Sequence, residues 1–105
     1  MRIRVSSPGY ELKSGDVDRI EKDLEKIDRR LHEYPEVVAD VRISNSRNGA
    51  HQYNVTVELD YGRNHLMAKA DHTDMGQAVR EAREELLRQI NDRSRRGHSS
   101  FLKRR

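Results

Sequence analysis

Hydrophobic residues recur along the chain with two different periods, and segments of the two kinds follow one another in a definite order. A period of two predicts strands whose apolar positions are Ile3 and Val5; Val37, Ala39, Val41 and Ile43; Tyr53, Val55, Val57 and Leu59; and Leu66, Ala68 and Ala70. Spacings of three and four predict helices whose apolar positions are Val17, Ile20, Leu24, Ile27 and Leu31; and Met75, Val79, Ala82, Leu86 and Ile90. The predicted order is therefore βαβββα.

Residues that favour caps and turns mark the ends of these segments. Ser14 is predicted to cap the first helix, and Pro35 follows its end because proline cannot continue a helix. Residues 45–49 and 60–64 are rich in Asn, Asp and Gly and are predicted turns. Residues 71–74 are predicted to cap the second helix.

Every predicted strand is polar on one side, which indicates that one face of the sheet meets water and that both helices pack on the other. The predicted fold class is therefore α+β, a two-layer sandwich of one four-stranded sheet and two helices. A chain of 105 residues is long enough for one domain. With 37% charged and 33% hydrophobic residues, an open sheet face fits better than a deeply buried three-layer fold.

The net charge of +3 hides an uneven distribution along the chain. Residues 1–75 hold 12 Lys or Arg and 14 Asp or Glu, whereas residues 76–105 hold nine and four. From residue 93 onward six residues are basic, none is acidic, and Ser, Gly and His are frequent. We predict a folded domain over residues 1–92 and a basic, disordered tail over residues 93–105. A basic excess at one end favours a polyanionic partner, of which nucleic acid is the commonest.

The basic residues of the first helix gather on one side of it. At about 100° per residue, the sector nearly opposite the apolar positions holds Arg19, Lys22, Lys26, Arg29 and Arg30. On the second helix Arg80 and Arg83 lie beside the apolar positions and are expected to be exposed, while Arg88 lies among glutamates that it can pair with. The candidate RNA-binding residues are Lys22, Lys26, Arg29, Arg30, Arg80, Arg83, Arg88, Arg93, Arg95 and Arg96. A solvated, salt-bridged helix surface is the competing interpretation.

The residue types required for catalysis or metal binding do not come together in the sequence. There is no cysteine, and the five histidines lack the spacing of a metal site. Asp71 and Asp74 are explained as helix caps, and the scattered tyrosines are better explained by packing than by stacking on bases. We therefore predict no enzyme, no metal or other cofactor and no small-molecule substrate. The absence of a long apolar run and of a signal-peptide pattern predicts a cytoplasmic protein that does not enter a membrane.

Short motifs in both helices are similar to those of a known family. They are Glu25-Lys26-Ile27-Asp28 in the first helix and Asp74-Met75, Ala78-Val79, Leu86 and Arg88-Gln89-Ile90 in the second. With the βαβββα order, these residues make the chain resemble the ribosome hibernation-promoting factor and ribosome-associated inhibitor family, also called sigma-54 modulation proteins. The resemblance covers about residues 2–92 and is to the short type of the family.

The resemblance implies a translation inhibitor that binds rRNA of the small ribosomal subunit, in the channel of mRNA and tRNA, during stress or stationary phase. Lys26 and Arg88 match basic positions of the family. Gly76 and Glu85 stand where the family usually has Tyr and Lys. They favour the alternative, a stress-regulatory protein-interaction module with the same fold and weak or no rRNA binding. The element order disfavours a generic double-stranded-RNA binder, and a monomer is the expected oligomeric state.

Overall fold

Four strands and three helices are present in the computed structural model, which describes residues 1–9, 11–45 and 52–103, with side chains up to residue 94. In chain order they are β1 (Arg2–Ser6), α1 (Ser14–Asp23), α2 (Glu25–Arg30), β2 (Val37–Asn45), β3 (Tyr53–Tyr61), β4 (Asn64–His72) and α3 (Met75–Lys103). Tyr10 and most of the turn predicted at 45–49 lie outside the described residues.

The strands form one mixed sheet in the order β1-β2-β3-β4. β1 runs parallel to β2, and such a pair needs a crossover connection, which α1 and α2 supply. The other neighbours are antiparallel, and Val57 of β3 lies opposite both Val41 and Ala68. The register thus places the apolar residues of neighbouring strands on the same face of the sheet.

The connection between β3 and β4 is a two-residue hairpin loop. Tyr61 pairs with Asn64, so Gly62 and Arg63 form the loop. Gly62 has φ 58°, a left-handed value that a side chain disfavours, and glycine at the first loop position is typical of a type II′ turn.

The hydrophobic core lies between the sheet and the three helices. Its buried members are Ile20, Leu24, Ile27, Leu31, Val37, Ala39, Val41, Ile43, Val55, Val57, Leu59, Tyr61, Leu66, Ala68, Ala70, Met75, Ala78, Val79, Ala82, Leu86 and Ile90. The residues between them on the strands are more exposed, as the burial of β4 shows by alternating along its length. The predicted α+β architecture, with the helices on one sheet face, is confirmed.

The first predicted helix is two helices that meet at Leu24, so the prediction of one continuous helix was wrong. Leu24 has φ −84° and ψ −3°, and its carbonyl accepts a hydrogen bond of 3.0 Å from the N–H of Ile27. This bond spans three residues, as in a 3₁₀ turn. Because Leu24 and Ile27 both stay in the core, the apolar spacing runs through the break and does not reveal it.

The caps also differ in detail from the prediction. Ser14 is the first residue of α1 rather than its cap, and Asp16 caps the helix by accepting the backbone N–H of Lys13 at 3.2 Å. At α3 the prediction holds for Asp74, whose carboxylate accepts the N–H of Gly76 at 3.3 Å. Asp71 instead lies within β4.

The backbone of α3 continues beyond the predicted domain boundary at residue 92 and is helical to Lys103. The basic, disordered tail over residues 93–105 stays a prediction. The boundary at residue 92 itself stays a prediction.

Candidate nucleic-acid interface

The three helices carry the predicted basic residues, and their neighbours divide these residues into two groups. One group has no carboxylate partner within the described residues, and it consists of Lys22, Lys26, Arg30 and Arg93. The other group pairs with carboxylates, and it consists of Arg29, Arg80, Arg83 and Arg88. Only a charge without such a partner is fully available to a phosphate.

Lys22 and Lys26 are exposed on α1 and α2, one turn apart along the interrupted helix. Arg29 follows on the same side and makes an exposed ion pair of 3.4 Å with Glu25. An exposed pair of this kind contributes at most about 1 kcal/mol, so Arg29 can exchange its partner for a phosphate at little cost.

Arg30 and Arg93 are each held by a neutral amide. The Nε of Arg30 donates to the side-chain oxygen of Asn91 at 3.3 Å, which links α2 to α3. A guanidinium N–H of Arg93 donates to the side-chain oxygen of Asn64 at 3.0 Å. An amide orients the guanidinium group without cancelling its charge, so both arginines keep their attraction for anions.

Arg83 is not exposed, and the expectation that it would be was wrong. Its side chain is only 12% exposed, and it donates to the backbone carbonyl of Asp23 on α1 at 3.3 Å. It also pairs with Glu84 at 3.0 Å. The physical reason is that α1 packs against α3 on the side of α3 that carries Arg83. Arg83 therefore connects two helices rather than facing solvent.

Asp23 is the centre of this connection. Its carboxylate is 18% exposed and lies 3.9 Å from both Arg83 and Arg80. One of its oxygens has no hydrogen-bond partner among the described residues, so the two guanidinium charges compensate its burial. Arg80, which is more exposed and also contacts Gln77, is thereby partly neutralised.

Arg88 is exposed, but its guanidinium group forms ion pairs with two carboxylates. It donates to both oxygens of Glu85 at 3.0 and 2.6 Å and to Asp92 at 3.1 Å. The hydrogen bond from Arg88 lowers the pKa of Glu85, and the same bond raises the pKa of Arg88. The pairing expected from the sequence is confirmed, and Glu85 and Asp92 together neutralise the charge of Arg88.

Arg19, which was not among the candidate residues, lies at the junction of α1 and α3. A β-carbon on Gly76 would lie 3.9 Å from Arg19 Cδ and 3.5 Å from Arg80 Nη2, so both arginines reach the helix start at this glycine. The helical wheel contains the signal for Arg19, since it shares a sector with Lys22 and Lys26. Arg95 and Arg96 are on the helical backbone of α3, and their side chains lie outside the described residues.

Other chemistry is sparse in the part of the chain that the structure describes. Within residues 1–9, 11–45 and 52–94, no three His, Asp or Glu side chains converge on a point where they could hold a metal ion. His65 is on the open sheet face, where its hydrogen bond with Asp60 raises its pKa. None of the helices within these ranges is long and apolar enough to cross a membrane.

Comparison with known proteins places this arrangement in a family. The solved structures that share the fold include the N-terminal domain of Protein Y from Thermus thermophilus and a ribosomal subunit interface protein from Coxiella burnetii. The first is 21% identical, with a TM-score of 0.76, over 86% of this chain and 96% of that one. The second is 19% identical, with a TM-score of 0.71, over 90% of this chain and 98% of that one. At such identities these structures establish the common fold alone.

Among curated protein sequences no match was found. The sequence profile of the family described as "Sigma 54 modulation protein / S30EA ribosomal protein" matches residues 3–98. The match covers most of the chain and passes the predicted domain boundary at residue 92. The chain therefore belongs to the sigma-54 modulation protein / S30EA ribosomal protein family, the family of the hibernation-promoting factors.

Proposed function

We propose that the protein is a non-enzymatic, cytoplasmic inhibitor of translation that acts as a monomer and binds rRNA of the small ribosomal subunit. It would occupy the channel used by mRNA and tRNA during stress or stationary phase. Membership of a family of ribosomal proteins supports association with the ribosome. The observation that carries rRNA binding is the set of exposed cations without carboxylate partners within the described residues: Lys22, Lys26, Arg30 and Arg93.

These cations are suited to phosphate groups rather than to a small ligand. They are exposed on three different helices, α1, α2 and α3, so they form an extended surface and not a closed pocket. Contacts to the RNA backbone carry no sequence information, and recognition would follow the shape of the folded rRNA. Each phosphate contact releases counterions, so binding should weaken steeply as salt increases.

The opposite face of the molecule supplies a matched control. Arg42 of β2 and Lys69 of β4 are exposed on the open sheet face, on either side of Thr56 of β3, and neither has a carboxylate partner within the described residues. The double variant Arg42→Gln with Lys69→Gln removes as much charge as Lys22→Gln with Lys26→Gln. The two variants differ only in the face that loses charge, which is the open sheet face in the first and the helices in the second.

The test is co-sedimentation of the tagged protein with ribosomes through sucrose gradients at low and high salt, alongside translation in a cell extract. We expect the wild type and the sheet-face variant to sediment with ribosomes and to inhibit translation. The Lys22→Gln, Lys26→Gln variant should bind less, and its slope of log affinity against log salt should shrink by somewhat less than about one per charge removed. Equal loss in both double variants would show a nonspecific charge effect and would contradict the proposed face.

The cluster of Glu85, Arg88 and Asp92 favours the second candidate, a protein-interaction module with weak or no rRNA binding. Glu85 and Asp92 would repel phosphate, and Glu85 stands where the family resembled usually has Lys. If the wild type stays at the top of the gradient at low salt, this second function replaces the first.

A further inference from the structure

Two tyrosines pack together where α2 ends and the β3–β4 hairpin turns. The ring centroids of Tyr34 and Tyr61 are 4.9 Å apart with an interplanar angle of 75°, an edge-to-face arrangement. Tyr61 is only 3% exposed, whereas Tyr34 is 39% exposed. Tyr34 is one of only two large hydrophobic side chains that are exposed among the described residues. The pair therefore has one member anchored in the core and one that faces solvent.

The backbone of the hairpin loop further fixes the exposed ring. A β-carbon on Gly62 would lie 3.0 Å from Cε1 of Tyr34 and 3.3 Å from Cδ1, so the ring rests against the space that glycine leaves open. With Tyr61 and Gly62 as supports, Tyr34 has little rotamer freedom left to lose when a ligand packs on it. An aromatic ring held in this way is preorganised for stacking.

Two unneutralised cations line the same site. A depression of about 200 Å³ is bordered by both tyrosines together with Arg30 and Arg93. Burial and Tyr34 raise the pKa of Tyr61, and the charges of Arg93 and Arg30 oppose that rise, so both guanidinium groups act on the ring pair. Glu33 is the acidic residue of the border, and neither arginine forms an ion pair with it among the described contacts. Asn91 and Asn64 orient the arginines without neutralising them.

We propose that this depression binds an unstacked nucleotide of single-stranded RNA, with the base on the exposed face of Tyr34 and the adjoining phosphates on Arg30 and Arg93. Bases in a duplex are covered by their neighbours and cannot stack on a side chain, whereas bases of loops and single strands can. The inference rests on the proposed rRNA binding. It adds that the rRNA element at this end of the helices is a single strand.

The probes are a short single-stranded RNA oligonucleotide and a duplex of the same sequence. Tyr34→Phe keeps an aromatic face, and Tyr34→Leu keeps apolar bulk without one. Arg30→Gln with Arg93→Gln removes the two cations, and Arg42→Gln with Lys69→Gln is the control of equal charge. Because the chain has four tyrosines and no tryptophan, stacking on Tyr34 is visible as quenching of tyrosine fluorescence.

We expect the wild type to bind the single strand more tightly than the duplex and to show quenching of tyrosine fluorescence on binding. The Tyr34→Phe variant should bind with the same affinity but without this quenching. Tyr34→Leu should bind the single strand about fivefold or more weakly, since stacking contributes about 1–3 kcal/mol per base. The Arg30, Arg93 variant should lose more affinity than the sheet-face control. If Tyr34→Leu is poorly folded, the quenching and its loss in the folded Tyr34→Phe protein still decide the question.

Three results would overturn the inference: equal affinity of wild type for duplex and single strand, unchanged binding by Tyr34→Leu, or absence of quenching. Sedimentation with ribosomes separates this failure from that of the proposed function. If the wild type sediments with ribosomes but shows one of the three results, only the nucleotide site is wrong. If it binds neither ribosomes nor RNA, both proposals are wrong.

Discussion

Basic residues on the helices serve two different purposes, which Arg83 and Lys26 illustrate. Arg83 is largely buried and contacts Asp23, a residue 60 positions earlier in the chain. Lys26 is exposed and has no partner within the described residues. The first is part of the contact between α1 and α3, and the second is available to a ligand.

Replacement of Arg83 should therefore lower stability more than replacement of Lys26. Arg83→Ala leaves the carboxylate of Asp23 mostly buried with only Arg80 near it, and we expect the free energy of unfolding to fall by about 1–3 kcal/mol. Lys26→Ala should change it by about 0.5 kcal/mol or less. Urea unfolding followed by circular dichroism measures both. Equal stability of the two variants would show that Arg83 does not tie the helices together.

The same contrast shows which residue-level features the sequence can reveal. The pairing of Arg88 with glutamate follows from helical spacing, because residues three and four apart are neighbours on any helix. The burial of Arg83 depends on which side of α3 meets α1. A helical wheel places Arg83 beside the apolar positions of α3. It does not show which other helix packs against that side of α3.

At the scale of elements, the two periods of the apolar residues were sufficient to predict all four strands and both helical regions. The break at Leu24 was missed because a one-residue change in backbone conformation leaves the apolar face continuous. The contact between Tyr34 and Tyr61 was missed for a related reason, since two residues far apart in the chain have no periodic relation in the sequence.

The packing of the helices on the sheet predicts large effects of core truncation. Leu24 at the α1–α2 junction and Leu86 on α3 are fully buried. Leu24→Ala or Leu86→Ala should each lower the free energy of unfolding by about 2–5 kcal/mol. Met67→Ala on the open sheet face is the control, and its effect should be small because that side chain is already exposed. Thermal melts that do not distinguish the core variants from the control would contradict this packing.

At the scale of the whole molecule, the sheet and the helices have different roles. The sheet packs against the helices through its apolar face, and the helices carry exposed cations. The uneven charge of the sequence already indicated a polyanionic partner. The sequence does not reveal which cations remain unneutralised, because some of the neutralising carboxylates come from a different helix. Asp23 of α1, for example, pairs with Arg80 and Arg83 of α3.

The end of α3 gives the last prediction. Ile90 is the last residue of α3 that is buried among those whose side chains are described. Deletion of residues 97–105 removes Lys103, Arg104 and Arg105 but no described core contact, so the melting temperature should change by only about a few degrees. Ribosome binding should weaken, and its salt dependence should become less steep by somewhat less than about one unit for each of these charges that contacts phosphate. Replacing the same three residues by Gln keeps the length of α3 and should weaken binding equally if charge is their contribution. A large drop in melting temperature after the deletion would mean that this segment packs on the domain, and it would contradict a role confined to charge.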